Sequence, residues 1–567
     1  MTAESYKKIK GSPDDLFLDT PGHGSATPGN FTRALSDGSV ALNPVTGQNW
    51  NKFCADFVPH RDAPFITGGQ QPFARITAAD RDTEELVRDL KLNTREMLNF
   101  ESAGGIPGID ISAVNAAKNT EVFDYLLWIL SLPVTASNGI FFPGRRYEFM
   151  EWGGTHLYVA NETFKTLHTL PIVEMSGLTL CGAGQGVTTL AASVHANQSH
   201  NLIYVRDGSH FTICDLTAEK HTTQSNGSCI RIDSVGAAMT TSIVRDVTTV
   251  RGISYAIRLS GNTAASAPHN RIWVERCTVT DAVGFGIWIE SCTTVSLDKN
   301  IFTGTSNNGI TCNTTGTSQP LNGISITNNT MTGASASAGI FVSRSGVYDG
   351  SIHKDFIIRD NRINVGSIEI SGVNEWHVVG NTMFAGGFYA TFQGMAGAHN
   401  LKVVDNIIEG GNSFGSGIRF LSAATTITGY EISGGRVHNV PKWGITLESD
   451  FGVLKYGNIH DLLILNNSRE NAATEYSSIR LHETSANGGH QETRLHDLWL
   501  RNTTATAGGN KQLYGIEMTN NGGSTDRVVT QNVYIKGYSA AGGHFLQRGA
   551  NSVNGGAGSV IDGLAAV

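Results

Sequence analysis

Glu275 and Asp298 are the two acids whose spacing most invites a chemical reading. Each stands two residues before a recurring position, held by Cys277 and Asn300, so a repeating fold places both in one outward column on adjacent turns of chain. Strands stacked about 4.8 Å apart would bring the carboxyl groups to roughly 5 Å, near the separation of retaining glycosidases. Carboxylates that close repel, which raises one pKa and supplies an acid. Arg276 and Lys299 adjoin them, so the same residues also read as a surface ion ladder. Glu369 with Glu290 and Asp360 forms a second carboxylate set, and Glu448 with Asp450 a third. A β-elimination would instead need a base such as Lys, His or Tyr and a cation facing a uronate, roles open to His353, Lys354, His377 and Arg419. The 18 histidines are dispersed without metal-ligand spacing, and no metal or cofactor is expected.

A further series is suited to binding. Apolar–variable–apolar triplets recur, as in Ile257-Arg258-Leu259, Ile287-Trp288-Ile289, Ile340-Phe341-Val342, Ile368-Glu369-Ile370 and Ile418-Arg419-Phe420. Period-two alternation buries the flanks and turns the middle residue outward. The outward column reads Arg231, Arg258, Trp288, Thr311, Phe341, Glu369, Thr391, Arg419, Thr446, Arg480 and Glu517. Trp288 and Phe341 offer faces for sugar rings, and Arg258 and Arg419 can pair with acidic groups. Burial between subunits is the competing account of the same column.

The elements that position these residues come from a repeat. Asp215, Asp246, Cys277, Asn300, Asn329, Asn361, Asn381, Asn406, Gly435, Asp461, Asp497 and Asn532 hold one recurrent slot between β-formers, with a mean period of about 29 residues. Strand-type alternation at that period indicates stacked coils with a ladder of Asn and Asp at a polar corner, about 12 coils in all. The expectation is an all-β, right-handed parallel β-helix with a short N-terminal arm and helix. Low charge (16%) with 66 glycines fits strands and tight corners. A net charge of −8 without a basic run argues against nucleic acid as a partner, and no apolar stretch reaches the length of a membrane span. Six of the seven cysteines lie in apolar strand contexts and read as buried free thiols, consistent with assembly in a reducing cytoplasm.

Residues 1–75 are rich in Pro, Gly and Asn but carry Phe53, Phe57 and Phe65, the composition of an arm that orders against another chain. Residues 78–100 predict a helix with Leu86, Leu90 and Met97 on one face. The expected division is 1–100 for this arm and helix, 101–200 for the start of the β-helix and its cap, 201–545 for the regular coils, and 546–567 for a closing segment.

Between residues 110 and 220 the text is more particular. Lys118-Asn119-Thr120 precedes a helix-like stretch through Leu126-Leu127, followed by Pro143-Gly144-Arg145-Arg146-Tyr147, Gly182-Ala183-Gly184 and His210-Phe211-Thr212-Ile213. This order resembles the opening of the pectate-lyase-like parallel β-helix superfamily, which includes bacteriophage tailspikes. The glycine after Pro143 stands one place early, and the usual Asp-Asp-Thr is replaced by Lys118-Asn119-Thr120. The resemblance implies a cap helix over coils that reach about residue 545, and it is specific for fold rather than chemistry. Together with the arm, the free thiols and an N-terminus unlike a secretion signal, it gives the expectation of a homotrimeric virion tail protein. Such a spike would bind a bacterial surface polysaccharide and cleave it as a hydrolase or lyase, attach to other tail proteins through the arm, and assemble in the host cytoplasm. The alternatives are a non-catalytic receptor-binding spike and a secreted lyase or epimerase.

Overall fold

The computed structural model describes residues 97–131, 139–150, 168–173, 177–196, 201–234, 238–261, 269–313, 321–332, 338–343, 353–393, 397–411, 415–467, 477–502, 514–520, 528–536, 545–549, 561–562 and 565–566. The expected arm, most of the 78–100 helix, Cys54 and most of the closing segment lie outside them. Strand ladders among the described residues are parallel. The chain forms right-handed parallel β-helix coils, with one α-helix among the described residues. They divide into two compact units, the first over 1–235 and 239–257, the second over 236–238 and 258–567.

The first unit begins where a helix was expected: Leu98–Asn99 is a strand, paired with Ile140 and Phe141. Met97, predicted on the helix face, precedes it directly. The buried ring of Phe100 explains the change, because it inserts among Phe142, Tyr147 and Phe149 at centroid distances of 4.8, 5.1 and 5.6 Å. Helix α1 (Ala113–Ser131) covers these rings with Phe123 and Leu127. Its anchor is the degenerate motif itself. The Asn119 amide accepts from the Ile106 N–H (2.7 Å) and donates to the carbonyls of Ile106 and Glu148 (both 2.9 Å). A buried amide with its hydrogen bonds met fixes the helix where burial alone would let it slide. Coils follow through Thr179–Gly182, Phe211–Glu219 and Met239–Val250, with His168–Val173, Asn201–Arg206 and Ser228–Asp233 in a second sheet.

In the second unit a coil consists of a long strand, a two-residue corner, a short strand and a strand of the other sheet. Cys292–Asp298, Lys299 with Asn300, Ile301–Phe302 and Ile310–Asn313 make one such coil. The isoleucines of the triplets point inward, and Ile287, Ile310, Ile340, Ile368, Ile445 and Ile479 are fully buried. Each such side chain contributes about 1.5–3 kcal/mol of transfer free energy.

The corner resolves the recurrent slot into two positions. The residue at positive φ is Lys299 (55°), Asn328 (56°), Asp360 (56°), Gly380 (66°) and Asp405 (55°). The next residue, Asn300, Asn329, Asn361, Asn381 or Asn406, points inward and is buried. Each inward amide from Asn329 to Asn406 accepts, at 2.9–3.0 Å, from the backbone N–H and the side-chain amide of the ladder Asn one coil before. At Asp461, Asp497 and Asn532 the slot residue is instead the left-handed corner, and Leu462, Leu498 and Val533 point inward. The repeat therefore aligns two chemically similar residues that stand one position out of phase.

Candidate active site

The second unit presents a built polar face on the sheet that contains Phe285–Glu290, Ala338–Val342, Ser367–Ser371, Phe388–Gln393, Ile418–Ala423, Ile445–Asp450, Ser477–Glu483 and Tyr514–Asn520. Strand register gives its outward column as Trp288, Thr311, Phe341, Glu369, Tyr389, Arg419, Thr446, Arg480 and Glu517. Tyr389 stands where Thr391 was expected. Thr391 faces the same side but lies two residues further along the strand, in the neighbouring column with Ser371 and Leu421.

Carboxylates in or beside this column meet three arginines. Arg258 Nη2 donates to Glu290 Oε2 at 2.9 Å, and Trp288 Nε1 donates to the same oxygen at 3.3 Å. Arg419 Nη2 donates to Glu448 Oε2, and the Arg419 guanidinium lies 5.1 Å from the Tyr389 ring centroid. Arg480 Nε stands 3.8 Å from Glu517 Oε1, with its guanidinium 4.6 Å from the Trp443 ring. Glu448 and Glu517 are 8% and 4% exposed, so both carboxylates are largely withdrawn from solvent. Burial raises the Glu517 pKa, and the Arg480 charge and the Ser477 hydroxyl only partly offset it. His482 is the register partner of Glu448, and burial with the Arg480 and Arg419 charges holds it neutral, down to about 4. From the register, Glu448 and Glu517 lie two coils and two residues apart, about 11–12 Å between Cα atoms. Side chains of that length can close the gap to the roughly 6.5–9.5 Å of an inverting pair.

Of the residues singled out in the sequence, Trp288, Phe341, Glu369 and Arg419 fall in this column, and Arg258 reaches it through Glu290. Glu369 accepts from the Ser367 hydroxyl at 2.6 Å. Glu275 and Asp298 are register partners on adjacent coils, but on the other sheet, so they do not join Glu369. Glu275 faces Arg276 and Asp298 faces Lys299, both at 3.5 Å. Burial is the largest single influence on Asp298 and opposes its ionisation, yet donation from Asn328 (2.8 Å) and Thr327 (2.6 Å) and the Lys299 charge together bring its pKa below the ordinary value. That is the opposite of the raised acid expected from carboxylate repulsion. The Glu448–Glu517 combination was missed, although both alternate outward beside buried isoleucines and leucines; its signal was an arginine on the preceding coil, Arg480 in register with Glu517 and Arg419 two residues before the register partner of Glu448.

In the first unit, Cys181, Cys214 and Asp215 bring three metal-type donor atoms within 4.8 Å, with the two Sγ atoms 3.0 Å apart. Burial pushes both thiol pKa values up, which favours protonated thiols. The six described cysteines carry free thiols. Among the described residues no helix is long and apolar enough to cross a membrane.

No family model and no curated protein matches this sequence. The structure is similar to the catalytic unit of a GH87 α-1,3-glucanase from Streptomyces thermodiastaticus, at 15% identity over 70% of this chain and 67% of that one, with a TM-score of 0.49. It is similar to the pre-mature gene product 12 of bacteriophage phi29, at 10% identity over 82% and 74%, with a TM-score of 0.44. It is also similar to the A-module of an Azotobacter vinelandii mannuronan C-5 epimerase, at 12% identity over 83% and 100%, with a TM-score of 0.39.

Proposed function

We propose that this chain is a polysaccharide-active β-helix, and more specifically a bacteriophage tailspike that binds and hydrolyses a bacterial surface polysaccharide. The observation that carries the reading is the buried pair Glu448 and Glu517, each set against an arginine on one strand face that also bears Trp288, Phe341 and Tyr389, with Trp443 beside Arg480. Glu517, with its raised pKa, is the proton donor to the leaving oxygen, and Glu448 is the base that activates water. Arg258, Arg419 and the aromatic side chains hold the sugar chain, with Glu369 in the same column as a further acid. Buried free thiols at Cys229, Cys277, Cys292 and Cys312 suit assembly in the host cytoplasm, and residues 1–100 serve as the attachment arm to other tail proteins. The register of Glu275 with Asp298 favours them as the alternative catalytic pair.

The test is to incubate the protein with surface polysaccharides from a host panel and to size the products. Discrete oligosaccharides are expected, with Glu517→Gln lowering the rate about 10²–10⁴-fold. Loss of activity in Glu275→Gln with Asp298→Asn, and not in Glu517→Gln, would transfer catalysis to the alternative pair. Intact polymer throughout would leave a binding spike, and an unsaturated, ultraviolet-absorbing product would mean a lyase.

A further inference from the structure

The other sheet of the second unit has a concavity of about 560 Å³ that the hydrolytic reading does not use. Trp499 lies in its wall and is 58% exposed, which is costly for so large an apolar side chain. Strand register stacks Leu463, Trp499 and Tyr534 on successive coils, and the Trp499 and Tyr534 rings lie 4.7 Å apart at 42°. Beside this strip run three left-handed corners, Asp461 (φ 51°), Asp497 (52°) and Asn532 (50°), whose residues line the same concavity.

The polar groups are held in place. His460 Nδ1 is 2.7 Å from Asp461 Oδ2, His496 Nδ1 is 2.8 Å from Asp497 Oδ2, and Asn532 Nδ2 donates to Asp497 Oδ1 at 3.0 Å. The two imidazoles stack at 4.8 Å with planes 3° apart, so the carboxylates share one orientation. Hydrogen bonds from His496 and Asn532 keep Asp497 ionised below the ordinary carboxylate range.

We propose that Leu463, Trp499 and Tyr534, with Asp461, Asp497 and Asn532, form a second glycan platform that takes neutral or amino sugars and rejects uronates. An indole face receives the C–H face of a pyranose, and fixed carboxylates accept sugar hydroxyls through charge-assisted hydrogen bonds. Coils about 4.8 Å apart set one apolar or aromatic side chain and one Asp or Asn at each step, close to the length of one sugar unit. Two aspartates repel an acidic sugar, so uronates are rejected here. This platform does not depend on catalysis at Glu448 and Glu517.

The test is saturation-transfer NMR and calorimetric titration of the full chain with cellohexaose, maltoheptaose, chitohexaose, the glucosamine hexamer and hexagalacturonate. At least one of the first four is expected to bind, with Trp499→Ala weakening it about tenfold or more, a loss of about 1.4 kcal/mol, and Trp499→Phe retaining part of the affinity. Hexagalacturonate should show no binding that depends on Trp499. Because the side chain is exposed, Trp499→Ala should keep the parent circular dichroism and thermal midpoint. Absence of any Trp499-dependent binding, or preference for hexagalacturonate, would overturn the proposal. So would a wild-type Trp499 shielded from acrylamide quenching in the native oligomer, which would make the strip a subunit contact. Cleavage by the Trp499→Ala variant at the parent rate would separate this platform from the hydrolytic site, whichever of the two fails.

Discussion

Single buried side chains set how this protein responds to acid. His490 is fully buried and burial lowers its pKa to about 4, while His482 is held to about 4 and His269 to about 3. Each stays neutral in the fold but takes a proton in the unfolded chain below its usual value of about 6.5. For a depressed histidine the stabilisation is full above the unfolded pKa and is lost as pH falls towards the folded one. Glu517 works in the opposite sense, because its raised pKa favours the folded state as pH falls. Three histidines outweigh one carboxyl, so urea midpoints should fall between pH 6.5 and pH 4. His490→Leu should recover roughly 2–4 kcal/mol of the loss at the acid end. An unchanged pH dependence in that variant would show that His490 is not held neutral.

At the scale of elements, the asparagine ladder joins consecutive coils. Asn361 accepts from Asn329 with its carbonyl and donates both to Asn381 and to the Ile326 carbonyl, whereas Asn406 has an asparagine before it and Gly435 after it. Asn361→Leu would strand buried polar groups on both sides, at about 1–3 kcal/mol for each. Asn406→Leu should cost less, because the next coils already carry Leu462 and Leu498 at the equivalent position. Equal losses in urea denaturation of the two variants would contradict this account. The ladder was legible as a repeat, since Asn and β-formers recur at a steady interval, but its phase was not. Aspartate at a left-handed corner and asparagine one residue later have similar local sequence preferences. Only the three-dimensional register separates Asp461 from Asn406. A related limit applies to Tyr389 and Thr391, which face the same side of one strand two residues apart, so only the register shows which of them continues the column. The Glu275–Asp298 register followed from spacing alone, but the neighbours that lower the Asp298 pKa, Thr327 and Asn328, come from the next coil and are invisible to local reading.

On the scale of the whole molecule, the tailspike reading requires an assembly of three chains of 60.5 kDa. Exposed side chains such as Ile301 (44%) and Ile407 (38%) are candidates for burial between subunits. Light scattering should give three times the chain mass, and Ile301→Lys with Ile407→Lys should shift it towards one. A single-chain mass for the wild type would undo the tailspike reading.

The ladder also bears on how such a molecule can change over generations. From Asn300 to Asn406 each coil meets its neighbours through the same amide, so a coil gained or lost by duplication or deletion leaves the surviving junctions chemically as they were. The number of coils becomes a heritable variable, adjustable in steps of about 4.8 Å, and the outward surface can lengthen without a new core having to be invented.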